Sequence, residues 1–164
     1  MCAQTDAPSA RALYVRPITG LDPGGIGALP PSGKGLRIAD NVLLLLVEDE
    51  VLIRMNLEEE LAQAGFDLAV TTNGREALAE LEANPARFCA VVTDIRLGRG
   101  PDGWDIGRRA REAVPAMPVV YISADSAPNW ATMGVPNSIM VAKPFYPAEV
   151  VTALSTLLPC QESR

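Results

Sequence analysis

The sequence contains no histidine and only three cysteines among 164 residues. Without histidine, Ser–His and Cys–His catalysis, most zinc sites and any role as a phosphohistidine carrier are excluded. Cys2, Cys89 and Cys160 are odd in number, far apart and without metal spacing, so no disulfide framework is expected. A reduced, cytoplasmic protein fits this usage, with Cys89 a small core hydrophobe. Aromatic residues make up 5% against 48% hydrophobic residues, so the core is expected to be aliphatic. No apolar run approaches the roughly 18 to 20 residues that span a bilayer, and the first residues show no charged-then-apolar signal pattern. The net charge is −6 at a pI of about 4.7, with no cluster of Lys and Arg. Direct binding to nucleic acid or to a membrane is therefore not expected.

What is present falls into two unequal parts. Residues 1–40 hold 6 Gly and 5 Pro, about twice the density of the rest, and sustain no hydrophobic period. They read as a disordered N-terminal extension, unable to bury enough apolar surface to offset the entropy of ordering. Its Gly33-Lys34-Gly35 lacks the preceding strand and the spacing of a phosphate loop. Arg11, Arg16, Lys34 and Arg37 against Asp6, Asp22 and Asp40 give this part +1 and the remainder −7. Residues 41–158 read as one folded domain, 159–164 as a short tail, and no output domain is expected.

Within the folded part, strands and helices alternate. Val42–Val47 is apolar throughout, as a strand buried on both faces should be. A helix with Ile53, Leu57, Leu61 and Ala64 on one stripe follows, closed by Gly65. Phe66–Thr71 is the second strand, and Asn73-Gly74 opens a helix burying Ala77, Leu78 and Leu81. Val91–Asp94 is the third strand, stopping abruptly at a charge. After a Gly-rich loop, Gly98–Gly103, a helix carries Ile106, Ala110, Ala113 and Val114. Pro118–Ser123 is the fourth strand, and Ala124–Gly134 holds at most a weak helix because of Pro128. Ser138–Ala142 is the fifth strand, and Pro147 starts a last helix with Val150, Leu154 and Leu157 inward. Trp104 and Trp130 read as packing residues. This spacing predicts an α/β protein with a doubly wound, five-stranded parallel sheet.

Four strand ends carry chemistry: Glu48 and Asp49, Asp94, Ser123 and Lys143. In a parallel sheet these ends share one edge, so the side chains can converge in one crevice. Three carboxylates brought together repel one another and want a cation. A hard, all-oxygen donor set suits Mg²⁺, which keeps waters free for phosphate oxygens. A lysine and a hydroxyl beside it are what a phosphoryl group needs for its remaining oxygens. Asp94, central among them, is placed as the nucleophile of an acyl-phosphate reaction.

The motifs Val47-Glu48-Asp49-Glu50, Thr93-Asp94, Ile122-Ser123-Ala124 and Lys143-Pro144-Phe145, in this order on successive strand ends, resemble the receiver domain of two-component response regulators. The resemblance covers about residues 41–158 and implies a flavodoxin-like sheet of order 2-1-3-4-5. It further implies that Asp94 accepts a phosphoryl group from a histidine kinase or a histidine phosphotransfer protein. Glu48, Asp49 and Asp94 would hold Mg²⁺, with the backbone carbonyl of Arg96 as a further ligand. Lys143 would pair with the phosphate, Ser123 would act as the switch hydroxyl, and the bond before Pro144 would be cis. The domain would promote only its own phosphorylation and dephosphorylation, with no separate substrate. Its output would pass, through the face between Ala124 and Leu158, to a downstream protein partner or as onward phosphotransfer.

The sequence departs from this pattern in two places. Met140 stands three residues before Lys143, where the family carries its switch aromatic. The loop Leu97–Gly103 replaces the usual Met-Pro pair and is about one residue longer. Arg96 and Asp125, each two residues beyond a site residue, are expected to pair across the site mouth and modulate hydrolysis. Two other readings start from the same residues. A phosphatase working through an aspartyl-phosphate usually needs a second Asp where Arg96 stands. An interaction module independent of phosphorylation would not need the full acidic set and Lys143.

Overall fold

The computed structural model describes the strand at residues 13–14 and the continuous stretch 43–158. Leu43–Val47 forms β2, with Leu44, Leu45, Leu46 and Val47 fully buried. Ala90–Asp94 (β4) and Val119–Ser123 (β5) are likewise buried along their length, while Asp67–Thr71 (β3) and Ile139–Ala142 (β6) are partly exposed. This is what central and outer strands of a parallel sheet should show, since helices cover both faces of the centre. The five parallel strands run in the order β3-β2-β4-β5-β6, which is 2-1-3-4-5 counted along the folded part. Leu13–Tyr14 (β1) adds a short antiparallel strand outside β3, pairing Leu13 with Val70 and Tyr14 with Ala69. That strand falls inside the segment expected to be disordered; the rest of residues 1–40, and the tail 159–164, lie outside the described residues.

Alternation along each strand sends residues to opposite faces and builds two cores. Leu44, Leu46, Val92 and Ile122 meet Leu57 and Leu61 of α1 (Val51–Gln63) and Val150 and Leu154 of α5 (Pro147–Leu157). Leu45, Val47, Val91 and Tyr121 meet Ala77 and Leu81 of α2 (Gly74–Ala83) and Trp104, Ile106 and Ala110 of α3 (Gly103–Ala113). Two expected inward residues are corrected: Ala64, at the C-cap of α1, and Ala113, in the last turn of α3, are exposed. Both lie at the ends of their helices, past the residues that pack on the sheet. Trp104 enters the core instead, its ring 4.7 Å from that of Tyr121.

Local signals set the helix starts. Asn73 Oδ1 accepts from Glu76 N at 3.0 Å, and Asp102 and Asp105 form a reciprocal capping box at α3. The segment after β5 is a 3₁₀ turn, Ala127–Asn129, and one α-turn, α4 (Trp130–Met133). Trp130 Nε1 donates to Ser138 Oγ at 2.9 Å, which folds this segment back toward β6.

Candidate functional site

Register brings the chemistry to one edge. Val47 pairs with Thr71 and Thr93, Asp94 with Ile122, and Ser123 with Ala142, so the residues that follow emerge side by side. Asp94 closes β4 and is 5% exposed; Glu48, one residue beyond β2, is fully buried. Gly103 lets the start of α3 lie close against the end of β4, because a Cβ there would collide with the carbonyl oxygen of Asp94. A glycine is required at that point by space alone.

Lys143 is the centre of charge. Its Nζ lies 2.6 Å from Asp94 Oδ2 and 3.3 Å from both Glu48 Oε2 and Glu50 Oε1. The Lys143–Pro144 peptide is cis, as expected. Burial alone would lower the lysine's pKa, but the hydrogen bond and charge of Asp94, with the charge of Glu48, more than reverse this and raise it. The pKa of Glu48 is raised as well, which for a carboxylate disfavours the charged form. Burial first, then the neighbouring charge of Asp94, pushes it up to about 7 against the pull of the Glu50 amide and Lys143.

Backbone donors fix the remaining oxygens. Asp94 Oδ1 accepts from Arg96 N at 3.1 Å, and Glu48 Oε1 accepts from Glu50 N at 3.1 Å. Glu48 Oε2 is buried with the ammonium in ion-pair range but no hydrogen bond. Such an oxygen is undersatisfied. Oxygens of Glu48, Glu50 and Asp94 lie within 4.8 Å of one another. An all-carboxylate set holding an undersatisfied buried oxygen fits a small divalent cation, and nitrogen or sulfur ligands are absent from it.

One expected ligand, Asp49, lies beside the carboxylates that face Lys143. The third carboxylate facing Lys143 is Glu50, while Asp49 is exposed beside the group and outside it. The chain turns from β2 into α1 at these residues, so successive side chains diverge. Sequence reading missed Glu50, although its place in the acidic triplet was visible. It also missed Arg54, whose Nη1 donates to the carbonyls of Glu48 (3.1 Å) and Asp49 (3.4 Å).

The opposite rim carries the hydroxyl. Ser123 Oγ accepts from Ser126 N at 3.1 Å and from Asp125 N at 3.4 Å, so it caps the turn leading to α4. Arg96 Nη2 is ion-paired with Asp125 Oδ2 across the mouth, as expected, and Ser126 Oγ donates to Asp125 Oδ1 at 3.2 Å. Met140 is half-buried against the core that holds Trp104, in register with Tyr121. Tyr121 is the buried aromatic of this region. Its hydroxyl accepts from Val135 N at 3.4 Å, and Gly107 leaves the room it needs.

Fold and site together define a flavodoxin-like domain with an acidic crevice centred on a lysine. Comparison with known proteins agrees: the response regulator receiver domain model matches residues 44–155, and the chain belongs to that family of two-component signalling domains. A response regulator receiver protein of Sinorhizobium medicae WSM419 is 44% identical, with a TM-score of 0.69 over 72% of this chain and 94% of that one. The receiver domain of the sensor histidine kinase PA1611 of Pseudomonas aeruginosa PAO1, described with a magnesium ion in its active-site cleft, is 26% identical with a TM-score of 0.62, covering 73% of this chain and 98% of that one. The response regulator receiver protein CpdR of Brucella abortus is 29% identical over 117 residues, 70% of this chain and 95% of that protein. The chain spans about half or less of other curated relatives it matches, 48%, 45% and 12% of three of them. Among the described residues, no helix is long and apolar enough to cross a membrane.

Proposed function

We propose that this domain is a phospho-acceptor switch in which Asp94 receives a phosphoryl group from a histidine kinase or histidine phosphotransfer protein. The observation that carries the reading is the 2.6 Å contact between Lys143 Nζ and Asp94 Oδ2 inside a buried acidic crevice. A carboxylate so held has a fixed orientation, which a nucleophile needs. An Asp94 oxygen attacks phosphorus, the bond from phosphorus to the donor nitrogen breaks, and its electron pair stays with the donor. Lys143 then turns its ammonium to the new phosphoryl oxygens, and the Ser123 hydroxyl donates to another.

Glu48, Glu50 and Asp94 on geometry, with Asp49 and the Arg96 carbonyl by resemblance, would hold Mg²⁺. When bound, the ion supplies positive charge that offsets the crowded carboxylates and the incoming phosphoryl oxygens. The magnesium ion described in the active-site cleft of the PA1611 receiver supports Mg²⁺ as the cation of this crevice. Exposed Val51, Leu52 and Met55 on α1 and Tyr146 before α5 flank the crevice in the chain and offer apolar footing for a donor protein.

The domain has no separate substrate in this reading and acts in the cytoplasm. Capture of Ser123 by the phosphate would draw its hydroxyl from the amides of Asp125 and Ser126, freeing the turn before α4. Output then passes through the 124–158 face to a partner protein or as onward phosphotransfer. Half-buried Met140 takes the switch position without an aromatic flip. The Arg96–Asp125 pair shields the phosphoryl group from water and so modulates hydrolysis. The test is ¹⁹F NMR with beryllium trifluoride, a mimic of the aspartyl-phosphate. A bound resonance that needs Mg²⁺ and is lost in Asp94→Asn is expected; its absence from the wild type would overturn the reading.

A further inference from the structure

The acidic triplet Glu48-Asp49-Glu50 lies between the end of the sheet and the first turn of α1. Glu48 N is still in the ladder, donating to Thr71 O at 3.2 Å. The carbonyls of Glu48 and Asp49 are past the sheet and before the helix, where no regular backbone bond serves them. Arg54 serves both through Nη1, at 3.1 and 3.4 Å, while its own main-chain N donates to Glu50 O at 2.9 Å. One residue therefore holds all three carbonyls of the triplet. The guanidinium is set in turn by Glu58, one helical turn on, whose Oε1 lies 3.6 Å from Nε.

Two consequences follow from this geometry. With the carbonyls gathered on Arg54, Glu48 and Glu50 are free to turn their carboxylates to the crevice where Lys143 and Asp94 lie. The guanidinium also brings fixed positive charge to a loop where carboxylates repel one another. A lysine at this place would carry the charge and reach a carbonyl, but lacks the planar fork that Glu58 orients.

We propose that Arg54 is a positioning residue for the acidic loop and thereby sets the affinity of the crevice for a divalent cation. This rests on the Mg²⁺ assignment above, and the test separates the two. Full-length wild type, Arg54→Met, Arg54→Lys and Glu58→Gln are titrated with Mg²⁺ by calorimetry. In metal-free samples, exchange of the Glu50 amide, which donates to Glu48 Oε1, is followed by NMR. Supporting groups of this kind typically change metal affinity by about 10-fold or more. Arg54→Met is expected to weaken Mg²⁺ about tenfold and to speed Glu50 exchange, with Arg54→Lys recovering most of the affinity. Glu58→Gln keeps Arg54 in place should Arg54→Met fail to melt cooperatively, and is expected to weaken Mg²⁺ by about threefold. Wild-type Mg²⁺ affinity in Arg54→Met and Glu58→Gln, or Glu50 exchange unchanged in Arg54→Met, overturns the proposal. A wild type that binds no Mg²⁺ overturns the metal assignment instead, and the positioning role is then decided by Glu50 exchange alone.

Discussion

Lys143 Nζ lies 2.6 Å from Asp94 Oδ2 and 3.3 Å from Glu48 Oε2, so one ammonium bridges the ends of β2 and β4. Its side chain is only 12% exposed, which makes this more than a surface ion pair. Replacing it with a neutral residue leaves two close carboxylates uncompensated. For Lys143→Met we expect metal-free stability near neutral pH to fall by about 3 kcal/mol, the range for breaking one side of a buried pair. Urea unfolding with and without Mg²⁺ checks this, and Mg²⁺ should recover part of the loss.

Acidity gives a second prediction. The folded chain holds a proton on Glu48 up to about pH 7, whereas the unfolded chain releases it near the ordinary value of 4.5. Folded protein therefore binds more protons between these values, and stability falls as pH rises through that window. Lys143, with its pKa raised, stays charged throughout. Metal-free wild type should lose stability across this range, and Glu48→Gln should flatten the slope. Mg²⁺ needs the ionised carboxylate, so its affinity should rise with pH over the same interval.

Glu50 and Asp49 make opposite claims on the cation. Resemblance assigns Asp49, while geometry places Glu50 within 4.8 Å of Glu48 and Asp94. Glu50 is 63% exposed, and solvent screens such a charge. We expect Asp49→Asn to weaken Mg²⁺ by about tenfold or more and Glu50→Gln by about threefold. Calorimetric titration of both ranks them, and the reverse order would transfer the ligand role to Glu50.

Arg96 and Asp125 are joined across the mouth, yet their side chains are 74% and 50% exposed. An exposed pair contributes little to stability, so any value it has lies in shielding the site. Arg96→Ala and Asp125→Ala are each expected to shorten the lifetime of the phosphorylated state by about threefold while leaving the melting temperature almost unchanged. Lifetimes equal to that of the wild type in both variants would remove the pair from the account.

The sheet was legible because its strands are unusually plain. Val91-Val92-Thr93-Asp94 has little choice but to be buried and to deliver its charge to an edge. Asp94, Ser123 and Lys143 were readable for the same reason: each directly ends or follows a strand, where direction is fixed by the pleat. Glu50 was not, because it lies in the turn between β2 and α1, where a small change of dihedral swaps which side chain faces inward. The roles of Arg54 and Tyr121 depend on acceptors and donors reached through tertiary structure, which no periodicity encodes. Leu13–Tyr14 was hidden likewise, since two residues give no strand pattern and only pairing with β3 defines them.

The central claim is that Asp94 is the phosphoryl acceptor. Intact mass after incubation with a small acyl-phosphate donor tests it most directly, on wild type and Asp94→Asn, with and without Mg²⁺. The account predicts one added phosphoryl group on the wild type, only with Mg²⁺, and none on Asp94→Asn. A wild type that gains nothing at any time point, or an Asp94→Asn protein that gains as much as the wild type, would contradict it.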